Sequence, residues 1–218
     1  MPIIRPAPSL RNVPPSPMTS LEPTPIRRRG AATVGLLVGA FGAYFCMYAF
    51  RKPITVGEFA GQGLGGLELK TALLVGQLVG YTASKFLGIV VCSSLRREHH
   101  ARALVAMILV AEAALCAFAG LPGGWRVAAM FMNGLPLGMV WGLVVRYLEG
   151  SRTSELLLAG LSASFVLSSG VVKDVGRWLM VDQGVPEAWM PAATGALFLM
   201  PFLAFVALLE RAPSPDGA

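Results

Sequence analysis

Six apolar runs follow one another at residues 31–56, 70–93, 103–121, 126–147, 156–180 and 190–209. Each is near the roughly twenty residues that a helix needs to cross about 30 Å of hydrocarbon. Within a bilayer no water reaches the backbone N–H and C=O groups, so a crossing segment satisfies them internally as a helix. The pattern predicts an all-α polytopic membrane protein with a six-helix transmembrane domain over residues 31–210. Composition points the same way, with 55% of residues hydrophobic and 14% charged. In a soluble chain the formal charge of +6 would suggest nucleic acid as a partner. Here Lys and Arg sit mostly at the ends of apolar runs, where they orient helices in a lipid bilayer, and no nucleic acid is expected.

Residues 1–30 are crowded with proline and end in Arg27-Arg28-Arg29. Such a segment buries too little apolar surface to order itself and reads as a disordered cytoplasmic tail. It lacks the apolar core of a cleaved signal peptide. Leu121-Pro122-Gly123-Gly124 forms a tight hairpin between the third and fourth runs, Asp182 to Trp189 form the fifth connection, and residues 211–218 form a polar tail with no seventh helix. With the amino-terminal tail inside, eleven cations fall on the inner side and six on the outer, which favours both termini in the cytoplasm of a bacterial inner-membrane protein.

Small residues recur at four-residue intervals: Gly35/Gly39/Ala43, Gly76/Gly80/Ser84/Gly88, Gly134/Gly138/Gly142 and Gly160/Ser164/Ser168. These stripes let helix backbones approach closely. Pro136 and Pro201 are expected to kink or open their helices. Cys46, Cys92 and Cys116 lack the spacing of a metal or disulfide framework and read as packing residues, so neither metal nor cofactor is expected.

Charges within the apolar runs narrow the function. Arg51-Lys52 stand at the end of the first run and either reach headgroups or line a polar pathway. Lys173 lies in the fifth run, with Arg177 one turn on and Asp174 spaced to pair with it. Convergence of Arg51, Lys52 and Lys173 without matching carboxylates would make an anion site, the arginine suited to a bidentate grip on phosphate or carboxylate. Lys85 and Glu112 each lie about nine residues from the inner ends of the second and third runs. At 1.5 Å per residue they reach similar depth, roughly 13 Å, which predicts an intramembrane ion pair. The alternative leaves Lys85 snorkelling to headgroups and Glu112 protonated or hydrogen-bonded. His99 and His100 read as solvated loop residues, and salt bridges are expected in the mixed-charge loops 96–102 and 146–155.

The aromatic first run ending in Arg51-Lys52, together with Gly80-Tyr81-Thr82-Ala83-Ser84-Lys85-Phe86 and Asn133-Gly134-Leu135-Pro136-Leu137-Gly138, resembles the amino-terminal half of major facilitator transporters, nearest the organophosphate:phosphate antiporters. Tyr48-Ala49-Phe50-Arg51-Lys52-Pro53 and Leu148-Glu149-Gly150 also resemble a group of uncharacterised multi-pass bacterial membrane proteins. The first resemblance implies a half-bundle in which Arg51 faces a central cavity and contacts substrate phosphate. Such transporters set their site between two six-helix halves, so the partners expected are a small organic anion bearing phosphate or carboxylate, and either a second copy or a separate six-helix half. The competing expectation is a non-transporting membrane protein, an accessory subunit or the remnant of a twelve-helix transporter. No Ser-His-Asp set, HExxH, P-loop or paired catalytic carboxylates occurs, and no enzyme is expected.

Overall fold

The structure, a computed structural model, describes residues 26–148 and 154–211. Its six helices are α1 Ile26–Met47, α2 Leu69–Ser94, α3 His100–Gly120, α4 Trp125–Leu148, α5 Ser154–Val181 and α6 Met190–Glu210. Among the described residues four stretches are long and apolar enough to cross a membrane, namely Leu69–Val91, His100–Gly120, Trp125–Tyr147 and Met190–Glu210, while Val34–Phe50 is a shorter apolar helix. This is the helical frame of a membrane protein. Most of the proline-rich tail, the whole α4–α5 connection at 149–153, on which the expected salt bridges of loop 146–155 fall, and the last seven residues lie outside the described residues.

The first helix departs from the expected 31–56 at both ends. It begins at Ile26 and takes in Arg27 to Arg29, and its regular part stops at Met47. Two short 3-10 turns follow, Tyr48–Phe50 and Pro53–Thr55, and the Arg51 and Lys52 amides both donate to the Tyr48 carbonyl at 3.1 and 2.9 Å. Pro53 has no N–H to continue a helical ladder. The turns stay inside the protein, with Tyr48, Ala49, Phe50, Pro53 and Ile54 buried.

Beyond them, β1 Gly63–Leu64 pairs antiparallel with β2 Leu67–Glu68. Gly65 and Gly66 close this small hairpin at φ of 59° and 87°, the left-handed region that a tight two-residue turn requires. Glu187, from the α5–α6 connection, accepts hydrogen bonds from the amides of Glu58 and Phe59 and ties the two loops together.

The helix order in space is set by the small-residue stripes. α2 and α4 run parallel with their backbones in contact: a methyl at Gly80 would overlap the Phe131 carbonyl, one at Gly134 the Gln77 carbonyl, and one at Gly138 the Ser84 side chain and the Tyr81 carbonyl. α4 also packs against α3, so it stands between α2 and α3, which scarcely touch although they adjoin in sequence. On the other side α1 packs on α6, with Gly39 against Leu209 and Gly42 against Phe205. α5 leans on α1, where Ser164 Oγ donates to the Phe41 carbonyl at 2.9 Å, and barely meets α4. A cleft bounded by α1, α2, α4 and α5 results. Pro136 and Pro201 lie within α4 and α6, which continue through them.

At the end opposite the β-hairpin, His100 is buried, not solvated. It opens α3, its Nε2 lies 3.2 Å from the Leu95 carbonyl oxygen, and its ring meets Tyr147 edge-on at 5.6 Å. The expected salt bridge in this loop is the exposed Arg96–Glu98 pair at 3.2 Å.

Candidate functional site

The interruption of α1 determines what the site contains. Leaving the regular helix at Met47 frees backbone carbonyls in a dry interior, where each needs a donor. Two amide side chains supply them. Asn133, fully buried in α4, donates from Nδ2 to the Phe50 carbonyl at 3.2 Å and to the Ala111 carbonyl of α3 at 3.0 Å. Gln77 of α2 donates from Nε2 to Asn133 Oδ1 at 2.7 Å and to the Arg51 carbonyl at 3.3 Å. Gln77 and Asn133 lie eight residues into their helices from the hairpin end, and Glu112 lies eight residues from the end of α3 on that side. At 1.5 Å per residue this places one polar layer about 12 Å below the helix ends.

Held in that way, the turn points Arg51 into the cleft. Its guanidinium carbon lies 3.9 Å from the centre of the Tyr81 ring, and Tyr48 lines the same cavity. Tyr48 in turn lies 3.3 Å, hydroxyl to hydroxyl, from Tyr44. Among the described residues no carboxylate pairs with Arg51. The cavity there is about 370 Å³, lined by Tyr44, Tyr48, Arg51, Tyr81, Trp141 and Phe165 among others. A guanidinium stacked on one ring face keeps N–H donors for a planar oxyanion.

Lys52 lies 6.0 Å from the Phe165 ring and feels the charges of Arg51 and, more weakly, Lys173. Lys173 itself stands on the exposed face of α5, beside Asp174 and Arg177, which are also exposed. Among the described residues no ion pair joins Asp174 to Arg177. Lys52 thus feels both other cations, but Lys173 does not line the cavity at Arg51.

Lys85 and Glu112 are not brought together. Lys85 Nζ lies 4.9 Å from the Tyr81 ring and 5.0 Å from the Trp141 ring, on the cleft side of α2. It lines a second cavity of about 440 Å³ with Ser84, Trp141 and Arg146. Glu112 sits beyond α4, where its Oε2 touches Gly195 of α6. Equal depth did not bring contact because α4 intervenes. Arg51 and Lys85 instead share Tyr81, one cation reaching it from the turn and the other from its own helix.

Sequence reasoning gave no separate role to Gln77, Tyr81 and Asn133. The available signal was a lone amide within an otherwise apolar run, since such a group needs a partner in hydrocarbon. A family model described as a family of unknown function (DUF5690) matches residues 53–218, which takes in Gln77, Tyr81, Lys85, Glu112 and Asn133 and begins just after Lys52. No curated protein and no solved structure matches the chain.

Proposed function

We propose that this chain, which belongs to the DUF5690 family, is a transporter-like membrane protein that binds a small organic anion bearing phosphate or carboxylate and forms one wall of its pathway. The observation that carries this reading is Arg51, a permanent charge held against the Tyr81 ring inside the helical bundle without a carboxylate among the described residues. A cation with donors to spare, beside a cavity of about 370 Å³, suits an anion that arrives and leaves. Lys52 and Lys173 add to the attracting field, and Lys85 extends it along the cleft. An open cleft bearing cations requires a covering surface, because hydrocarbon does not solvate them. A second copy or a separate six-helix partner would provide it, as in an arrangement of major-facilitator type with both termini in the cytoplasm of a bacterial inner membrane.

Exchange of labelled phosphate and small organic anions in proteoliposomes tests the reading. Wild type is expected to exchange at least one such anion, with flux reduced about tenfold or more in Arg51→Ala, the scale of one lost charge-assisted contact, and reduced less in Lys173→Ala. Equal flux in all three proteins overturns the anion site. The short apolar part of α1, Val34–Phe50, favours a second reading, a non-transporting subunit that completes a larger membrane assembly. That reading predicts a stable complex with a partner and no flux above empty vesicles in wild type.

A further inference from the structure

Glu112 is an acid for which the anion site has no use. Its Oε2 is buried without a hydrogen-bond partner among the described residues. A methyl at Gly195 would overlap that oxygen and press on the Phe50 ring, so Glu112, Gly195 and Phe50 meet at one point where α3, α6 and the turn after α1 converge. Among the described residues, nothing packed there carries a countercharge. Cys116 follows one turn later in α3, α4 contributes Asn133 to the neighbouring Ala111 carbonyl, α6 contributes Gly195 and Thr194, and Thr194 spends its hydroxyl on the Met190 carbonyl. Glu112 is half-buried, but a carboxylate oxygen held between helices without a donor is costly, whereas a carboxylic acid fits the same place.

We propose that Glu112 is a proton-binding site whose occupancy sets the seating of the Phe50–Arg51 turn. The neutral acid lets α6 close on α3 and Phe50. When its proton passes to water, the carboxylate must draw out of the seam, and Phe50 loses one side of its packing. The residue that follows Phe50 is Arg51, and the Phe50 carbonyl is the one that Asn133 holds. Proton occupancy at Glu112 and anion occupancy at Arg51 are thereby linked, each altering the affinity for the other by the same factor. This linkage rests on the anion reading above; the proton site itself does not.

The test uses the full chain in lipid nanodiscs. Infrared spectra at neutral pH are expected to show the C=O stretch of a protonated carboxyl that shifts when glutamate is isotopically labelled, disappears in Glu112→Gln and persists in Glu58→Gln. With Trp125, Trp178 and Trp189 replaced by Phe, the emission of Trp141, which lines the Arg51 cavity, is expected to shift along the titration of that band and to stay flat in Glu112→Gln. Absence of the band, or a band that neither labelled glutamate nor Glu112→Gln alters, overturns the proton site. Should Glu112→Gln not fold, Glu112→Asp decides: a band that still shifts with labelled glutamate in that variant overturns the proton site. A titrating band with an unresponsive Trp141 overturns the linkage. Wild type that keeps the band but exchanges no anion removes the anion site and leaves the proton site standing.

Discussion

Asn133 and Phe50 are joined by a hydrogen bond of 3.2 Å from the side chain of one to the backbone carbonyl of the other, and the asparagine has no exposed surface. The same amide group donates to Ala111 and accepts from Gln77, so three segments depend on one side chain. Asn133→Leu removes the side-chain donor to the Phe50 and Ala111 carbonyls and one acceptor of the Gln77 amide. The expected loss is about 2 kcal/mol, the scale of polar groups stranded in a membrane protein that partly finds substitutes. Thermal unfolding in detergent should show a lower Tm for Asn133→Leu and a smaller drop for Gln77→Leu. Equal Tm values across the three proteins would mean that the turn keeps its place without the amides.

Tyr81 carries Arg51 on its ring. Replacing it with Leu removes the ring and the associated attraction, about 0.5 to 2 kcal/mol, whereas Phe keeps the face and loses only the hydroxyl. For any anion found to bind, Kd measured by isothermal calorimetry is expected to rise between about twofold and thirtyfold in Tyr81→Leu and to change little in Tyr81→Phe. Equal affinities in both variants would argue against the ring as a support.

The α2–α4 contact leaves no room for a side chain at Gly80 or Gly134, since the nearest atoms are backbone that cannot rotate away. Gly80→Ala and Gly134→Ala are expected to force the two helices apart and to give protein that aggregates on size-exclusion chromatography. Gly170 of α5, where an added methyl meets nothing within 4 Å, is the control. Gly170→Ala should elute as wild type does and gain about 0.5 to 1 kcal/mol of helix stability.

Lys85 and Glu112 have separate surroundings, so their effects should add. In a double-mutant cycle on unfolding free energy with Lys85→Met and Glu112→Gln, a coupling within about 0.5 kcal/mol is expected. An ion pair between them would be revealed by single variants that each cost about 3 to 5 kcal/mol and a double variant that costs no more.

Most helix limits were legible within a few residues, because the length of an apolar run is a direct measure of how much chain a bilayer accepts. Neighbour relations were less so. The four-residue stripes on α2 and α4 marked two helices able to touch backbone to backbone, but a stripe does not name its mate. Depth arithmetic put Lys85 and Glu112 level and said nothing of direction around the bundle, which is why α4 could stand between them. The early end of α1 was hidden for a different reason. Pro53 removes one donor from a helical ladder, as Pro136 and Pro201 do in helices that continue, and the conformation taken before it is set by Gln77 and Asn133, far along the chain. His100 looked like a solvated loop residue because its partners, Leu95 and Tyr147, come together only on folding.

The interrupted first helix also bears on how such a protein is made. When Phe50 and Arg51 leave the ribosome, Asn133 and Gln77, which will bond their carbonyls, have not yet been synthesised. The seating of this turn is therefore completed only after α2 and then α4 have been made, although the turn precedes both in the chain.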